Sequence, residues 1–208
     1  MTARLAILIS GRGSNMAALL AARAQIPAEF AVVLSDQPEA QGLSLARDAG
    51  LPVSRVVRER GQTRAEHEMA MIQSLKAYEV THLALAGFMR ILSAKFLSQF
   101  SAVFNIHPSL LPAFPGLNTH ARALAAGALS HGCTVHLVDA GIDTGPILAQ
   151  AELKIRQGET PAHLAARVLR LEHALYPKTL RDFFTRAELN SGLGRSGPLG
   201  VRGDHVTT

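Results

Sequence analysis

The unbroken apolar run Leu5–Ile9, and the glycine-rich turn that follows it, limit this chain to few folds. A strand that never alternates has no solvent face and belongs in a sheet covered on both sides. The run ends in Ser10-Gly11-Arg12-Gly13-Ser14-Asn15, and Met16–Arg23, rich in Ala and Leu, reads as a helix. A turn of this kind joins a buried strand to a helix N-terminus, where free backbone N–H groups and the helix dipole favour a phosphate. Glycine lets the backbone approach such an anion closely. The turn is not a dinucleotide fingerprint, because Met16 stands at the third glycine position, nor a P-loop, because no Gly-Lys-Ser/Thr follows. A plain tight turn is the competing reading of the same residues.

The alternation continues along the chain. Phe30–Leu34 reads as a strand ending at Ser35-Asp36, with Asp36 expected to cap a turn. Gly42–Ala49 reads as a helix and Pro52–Val57 as a short strand. Arg64–Tyr78 has helical spacing, with Ala65, Met69, Ile72 and Leu75 on one face and Thr63 as N-cap. His82–Ala86, Val103–His107, Cys133–Val138 and Ala151–Ile155 read as strands, and Cys133–Val138 has an antiparallel course open to it. Thr160-Pro161 opens a last helix, with Leu164, Val168, Leu171 and Leu175 on one stripe and Glu172 bordering it. Strands alternating with helices predict a single α/β domain over 1–188, Rossmann-like, with a mostly parallel twisted sheet flanked by helices. From about Leu189 the chain turns polar and glycine-rich, so 189–208 reads as a flexible tail. Arg202-Gly203-Asp204 within it matches an adhesion tripeptide by chance.

Composition removes several classes of function. A chain of 208 residues, 48% hydrophobic and 18% charged, holds enough apolar surface for one real core. No run approaches the ~20 apolar residues that cross a bilayer, and Leu5–Ile9 is too short for a signal peptide, so a cytoplasmic protein with no membrane partner is expected. The single cysteine, Cys133, excludes a disulfide within the chain and reads as a small core residue. The formal net charge of +5 invites a nucleic-acid partner, but the cations are scattered and only 5% of residues are aromatic. Small phosphorylated substrates account for the charge equally well, and no nucleic acid is expected. His67-Glu68 resembles the start of a zinc helix, yet Met71 stands where the second histidine belongs, so no metal is expected.

The chemistry concentrates in 103–150. Alternate strand residues share a face, so Asn105 and His107 point the same way before Pro108 stops the strand. Strand ends in α/β sheets are where ligands bind. The strand Cys133–Val138 leads into a turn-rich loop, Asp139-Ala140-Gly141-Ile142-Asp143-Thr144-Gly145-Pro146, in which the Asp143 carboxylate is free to face another loop. An amide, an imidazole and a carboxylate suit acyl transfer without a covalent intermediate: Asn and protonated His stabilise an oxyanion, and Asp raises the His pKa and relays protons. Structural polar groups satisfied at a strand end are the alternative.

The wording of this stretch carries more. N-I-H-P-S-L-L-P-x-F-x-G-x-x-T-H, followed by G-x-T-V-H-x-V-D-x-G-x-D-T-G-P-I, resembles the folate-dependent formyltransferases, over about Leu5 to Phe184. The resemblance implies a formyltransferase fold and transfer of a formyl group from 10-formyltetrahydrofolate, as co-substrate, to the amine of phosphoribosylglycinamide in purine synthesis. It implies His107, Asn105 and Asp143 as catalytic residues, and Gly13, Ser14, Asn15 and Glu172 (in E-H-x-x-Y-P) as contacts of the ribonucleotide. It sets the folate against Arg64, Phe88, Met89, Arg90, Ile91, Leu92 and Asn105, and against Asp139, Ala140, Gly141 and Ile142. Read from the residues alone, Arg64 is a solvated first-turn cation, Met89 and Leu92 are core, and Glu172 is a surface charge. Asn118 stays outside the essential set. A monomer or homodimer is expected. Two other branches of the family, the methionyl-tRNA formyltransferases and the formyltetrahydrofolate deformylases, carry additional domains that a chain of this length is expected to lack. A basic RNA-binding module with dead chemistry is the rival from another class, and the intact Asn105, His107 and Asp143 weigh against it.

Overall fold

The computed structural model describes residues 2–193. Its centre is a seven-stranded sheet in the order β3-β2-β1-β4-β5-β6-β7. The strands are β1 (Arg4–Ile9), β2 (Glu29–Ser35), β3 (Val53–Arg55), β4 (His82–Leu85), β5 (Ala102–His107), β6 (Ser130–Leu137) and β7 (Ile147–Lys154). The pairs from β3 through β5 are parallel, and β5–β6 and β6–β7 are antiparallel. The helices are α1 (Ser14–Ala21), α2 (Gly42–Asp48), α3 (Arg64–Lys76), α4 (Ala94–Leu97), α5 (Thr119–Ala125) and α6 (Pro161–Leu193).

β1 shows why its sequence does not alternate. Leu5, Ile7 and Ile9 pack into one hydrophobic layer with Met16, Leu19, Leu164, Val168 and Tyr176 from α1 and α6. Ala6 and Leu8 pack into the other, with Met71, Ile72, Leu75 and Phe96 from α3 and α4. Each large side chain buried in this way contributes about 1.5–3 kcal/mol. The Tyr176 hydroxyl reaches the carbonyls of Leu85 and Phe104, both at 3.1 Å, and fastens α6 across the β4–β5 seam.

Several expectations change. The inward face of α3 is His67, Glu68, Met71, Ile72 and Leu75, while Ala65 and Met69 face solvent. Hydrophobicity misled here because two buried positions are polar: His67 Nε2 bonds the Val56 carbonyl, and Glu68 bonds Ser93 and Arg64. Thr63 does cap α3, within a full capping box with Glu66. β7 starts at Ile147, earlier than expected, because its pairing with β6 begins there. β6 is antiparallel to β5. The buried stripe of α6 is Leu164, Val168, Glu172, Tyr176, Leu180 and Phe184, so Glu172 lies in its middle; Leu171 and Leu175 flank it half-buried. Met89 is 69% exposed, whereas Leu92 is core as expected. Asp36 caps no turn; it is a buried partner of Arg90. Of the stretch read as a tail, 189–193 completes α6, and the remainder lies outside the described residues.

Candidate active site

The sheet order reverses between β1 and β4: β1 connects outward to β2, and the chain then returns to the other side of β1. Parallel sheets open a crevice at the carboxyl ends of the strands at such a point. The turn after β1, the loop after β4 and the end of β5 all meet there.

β5 brings Asn105 and His107 to that edge, and antiparallel register sets His136 of β6 directly opposite Asn105. The His136 Nδ1–H donates to the Leu137 carbonyl at 2.9 Å, since a carbonyl only accepts. His136 Nε2 lies 3.1 Å from Asn105 Nδ2. His107 Nε2–H donates to the Phe114 carbonyl at 3.1 Å, and its Nδ1 lies 3.3 Å from Asp143 Oδ2. Asp143 Oδ1 lies 3.7 Å from His136 Nε2, and the Gly116 amide donates to Oδ2 at 2.8 Å. Asn105, His107 and Asp143 thus belong to one cluster linked through His136. His107 is buried within this cluster. Burial lowers its pKa, and the Phe114 carbonyl and the Asp143 charge oppose that shift without overcoming it. Burial pushes Asp143 upward, but the His136 ring, the Gly116 amide and the His107 ring hold it below the ordinary carboxylate range.

Two participants have no expected role in the sequence reading. His136 was hidden because strand register is a tertiary property. The Phe114 carbonyl reaches His107 from a residue at φ 55, a left-handed conformation that aromatic residues avoid. The Phe114 ring is held at an edge contact with His131 and beneath the Arg122 guanidinium. Asp143 (φ 54) and Asn118 (φ 56) are left-handed too, as is Glu79 (φ 52) at the far end of β4, and Asn and Asp tolerate that region better than Phe does. Asn118 stands at the N-cap of α5 without a side-chain capping bond.

The turn after β1 leads into α1 with Gly13 at φ 77 and with neither a side-chain cap nor an acidic residue in the first helical turn. Its leading amides are therefore left for an outside acceptor. A Cβ at Gly13 would stand 2.9 Å from the Gly42 Cα, so glycine is needed both for the dihedral angle and for contact with the start of α2. Asn15 is buried; its Nδ2 donates to Glu172 Oε2 at 2.6 Å, while its Oδ1 has no partner among the described residues. Burial raises the Glu172 pKa, partly offset by the Asn15 bond. Of the residues expected to group here, Asn15 is bonded directly to Glu172, 157 positions away in sequence.

A second recess, of about 320 Å³, lies between α3 and the loop after β4. Arg64, Met89, Arg90, Ile91 and Leu92 line it, together with Arg58, which has no expected role in the sequence reading. Met89 and Ile91 expose most of their apolar side chains, while Phe88 lies behind them in the core. Arg64 pairs with Glu68 at 2.9 Å and is not simply solvated. Asn105 and 139–142 do not line this recess; Asp139 closes its own loop by accepting from the Gly141 amide and the Thr144 hydroxyl. Ala140, Gly141 and Ile142 are exposed at its tip. Cys133 is fully buried and its thiol is pushed up to about 12, as suits an inert core residue.

Residues 3–180 match the family described as formyl transferase. The chain belongs to the formyl transferase family. The match takes in the turn after β1, the loop after β4, the Asn105–His107–Asp143 cluster and Glu172. A crystal structure titled phosphoribosylglycinamide formyltransferase, from Brucella melitensis, is 46% identical, with a TM-score of 0.83 over 88% of this chain and 96% of that one. The phosphoribosylglycinamide formyltransferase of Escherichia coli strain K12 is 38% identical over 180 residues, 85% of each chain. The trifunctional purine biosynthetic protein adenosine-3 of Drosophila melanogaster is 41% identical over 182 residues, 85% of this chain. This formyl transferase spans only 14% of the length of that protein. Among the described residues no cluster of three or more His, Cys, Asp or Glu is placed to hold a metal ion, and no helix is long and apolar enough to cross a membrane.

Proposed function

We propose that this formyl transferase moves the formyl group of 10-formyltetrahydrofolate to the amine of phosphoribosylglycinamide in purine synthesis, giving formylglycinamide ribonucleotide and tetrahydrofolate. The observation that carries the reading is the linked cluster of Asn105, His107 and Asp143, standing beside an anion-ready helix start and an apolar recess rimmed by arginines. The names of the relatives support the same reading.

The acceptor phosphate sits on the amides of Gly13, Ser14 and Asn15. The Asn15–Glu172 pair meets the ribose hydroxyls, and the unpartnered Asn15 Oδ1 is suited to accept from one of them. The flat ring system of the donor fits the exposed Met89 and Ile91, and its carboxylates fit Arg58 and Arg64.

The amine attacks the formyl carbon, a C–N bond forms and the carbonyl electrons move to oxygen. Asn105, whose Nδ2 lies 3.1 Å from His136 Nε2, gives an amide hydrogen to that oxyanion. His107 accepts the proton of the attacking nitrogen, and Asp143 at 3.3 Å stabilises the imidazolium. Collapse breaks the bond to the donor nitrogen, which takes the proton from His107. The exchange leaves no net proton and needs no redox partner.

The test is a steady-state assay of the purified chain with both compounds. Turnover that requires both is expected. Release of formate from the donor at the same rate with and without the acceptor would overturn the reading in favour of hydrolysis.

A further inference from the structure

We propose that Asp36 is a positioning residue that holds the turn after β1 and the loop after β4 in fixed relation, so that both substrate sites depend on it. This rests on the assignment of those two segments to acceptor and donor.

Asp36 follows the end of β2 and is 1% exposed. A buried carboxylate is costly unless it is paired and fully hydrogen-bonded. Here it is: Oδ1 accepts from the Ser10 hydroxyl at 2.6 Å, and Oδ2 accepts from Arg90 Nε at 2.5 Å and from Gln37 Nε2 at 3.1 Å. Ser10 opens the turn that carries Gly13–Asn15, and Arg90 lies within the loop that lines the apolar recess.

A carboxylate only accepts, so it dictates the direction of the Ser10 hydroxyl hydrogen. That leaves the Ser10 oxygen free to accept from the Met89 amide at 3.0 Å, as it does. The Ser10 amide in turn donates to the Gly87 carbonyl at 3.2 Å. One side chain thus sets Ser10, Met89 and Arg90 together, on two loops that β1–β4 pairing alone leaves free beyond the strand ends. The exposed Met89 and Ile91 have little packing to hold them otherwise.

Two substitutions separate the arms. Asp36→Asn keeps an oxygen for Ser10 but turns an N–H donor toward Arg90. Asp36→Ala removes both arms. Bonds to charged groups of this kind sustain changes on the order of tenfold in an equilibrium. Asp36→Ala is expected to raise KM for donor and acceptor by about that factor, with kcat at saturation changed only a few-fold. Asp36→Asn is expected to raise the donor KM and leave the acceptor KM nearly unchanged.

A residue that served folding alone would lower Tm and the active fraction without moving either KM. Hydrogen exchange of the full chain without substrates reads the same arrangement directly. Both 10–15 and 87–92 should lose protection in Asp36→Ala, and only 87–92 in Asp36→Asn, which also serves should the alanine variant fail to fold. Unchanged protection in these segments, or unchanged KM values in an active enzyme, overturns the proposal. Failure of the unsubstituted chain to transfer formyl would overturn the functional reading, while the exchange result would still decide the role of Asp36.

Discussion

Replacing Asp143 by Asn tests how the cluster works. The substitution preserves shape, and an amide oxygen can still accept from the Gly116 amide, so the loop should stay in place. What disappears is a negative charge 3.3 Å from His107 Nδ1. At that separation Coulomb's law gives ~5 kcal/mol at an effective dielectric near 20 and ~1 kcal/mol in water. The Asp143 side chain is 15% exposed, so the true value lies between these limits. One pKa unit corresponds to about 1.4 kcal/mol, so the His107 pKa, already lowered by burial, should fall further. The ring then holds the transferred proton poorly. A positioned acid or base is worth about 10²–10⁴ in rate, and kcat should drop within that range with little change in affinity for either substrate. The assay is kcat at saturation beside an NMR titration of His107. If the pKa falls while kcat stays within a few-fold of normal, proton transfer through His107 is not the mechanism. If the pKa does not move, the electrostatic argument itself is wrong.

Gly13→Val should lower Tm by several degrees and weaken acceptor binding, because it forces a β-branched residue to φ 77 and a Cβ to 2.9 Å from Gly42; calorimetry with acceptor and donor reads both, and equal loss of the two ligands would point to misfolding. Stability should fall with acid. The folded state holds the pKa values of His82, His107, His120, His131 and His173 below the unfolded value, so the unfolded chain takes up protons first as pH drops below about 6.5. His131, lowered to about 4, accounts for roughly 3 kcal/mol of that loss between pH 6.5 and 4, and urea titrations of His131→Asn should show a flatter pH profile than those of the unsubstituted chain. Glu172 has the opposite sign: its raised pKa destabilises the fold once pH exceeds about 4.5, so Glu172→Gln should gain stability at neutral pH relative to pH 4, and an unchanged difference would mean the carboxyl is not desolvated.

The sequence revealed the fold where one physical cause dominates. A strand buried on both faces has no polar positions, and β1 could be read from its residues alone. The capping box of α3 and the Pro161 start of α6 are local chemistry and were equally legible. The face of α3 was not, because His67 and Glu68 are buried polar groups that pattern arguments assign to solvent. Glu172 was misplaced for the same reason: a carboxylate in the middle of an apolar stripe is stable only because Asn15, far away in sequence, reaches it. Within the cluster, Asn105 and His107 were visible from strand alternation, but His136 required the β5–β6 register. The Phe114 carbonyl was invisible, since no side-chain identity announces a backbone oxygen.

Several costly features lie at the cluster or on the loops beside it. Phe114, Asn118 and Asp143 occupy left-handed conformations, and His107 and His136 are buried beside a carboxylate. Each left-handed non-glycine residue costs on the order of 1–3 kcal/mol and persists only where its surroundings over-determine it. The surroundings here do so: His131 and Arg122 clamp the Phe114 ring, and Asp143 is tied to the Gly116 amide. Gly116 lies on the same segment as Phe114, so the loop after β5 and the loop after β6 hold each other through Asp143. Relaxing Phe114 to an ordinary β conformation would withdraw its carbonyl from His107 Nε2, and moving Asp143 would release both Gly116 and His107 Nδ1. The strain and the two ring contacts are therefore one arrangement. His107 lies between the Phe114 carbonyl on one loop and the Asp143 carboxylate on the other, so its place at this edge of the sheet depends on both loops together.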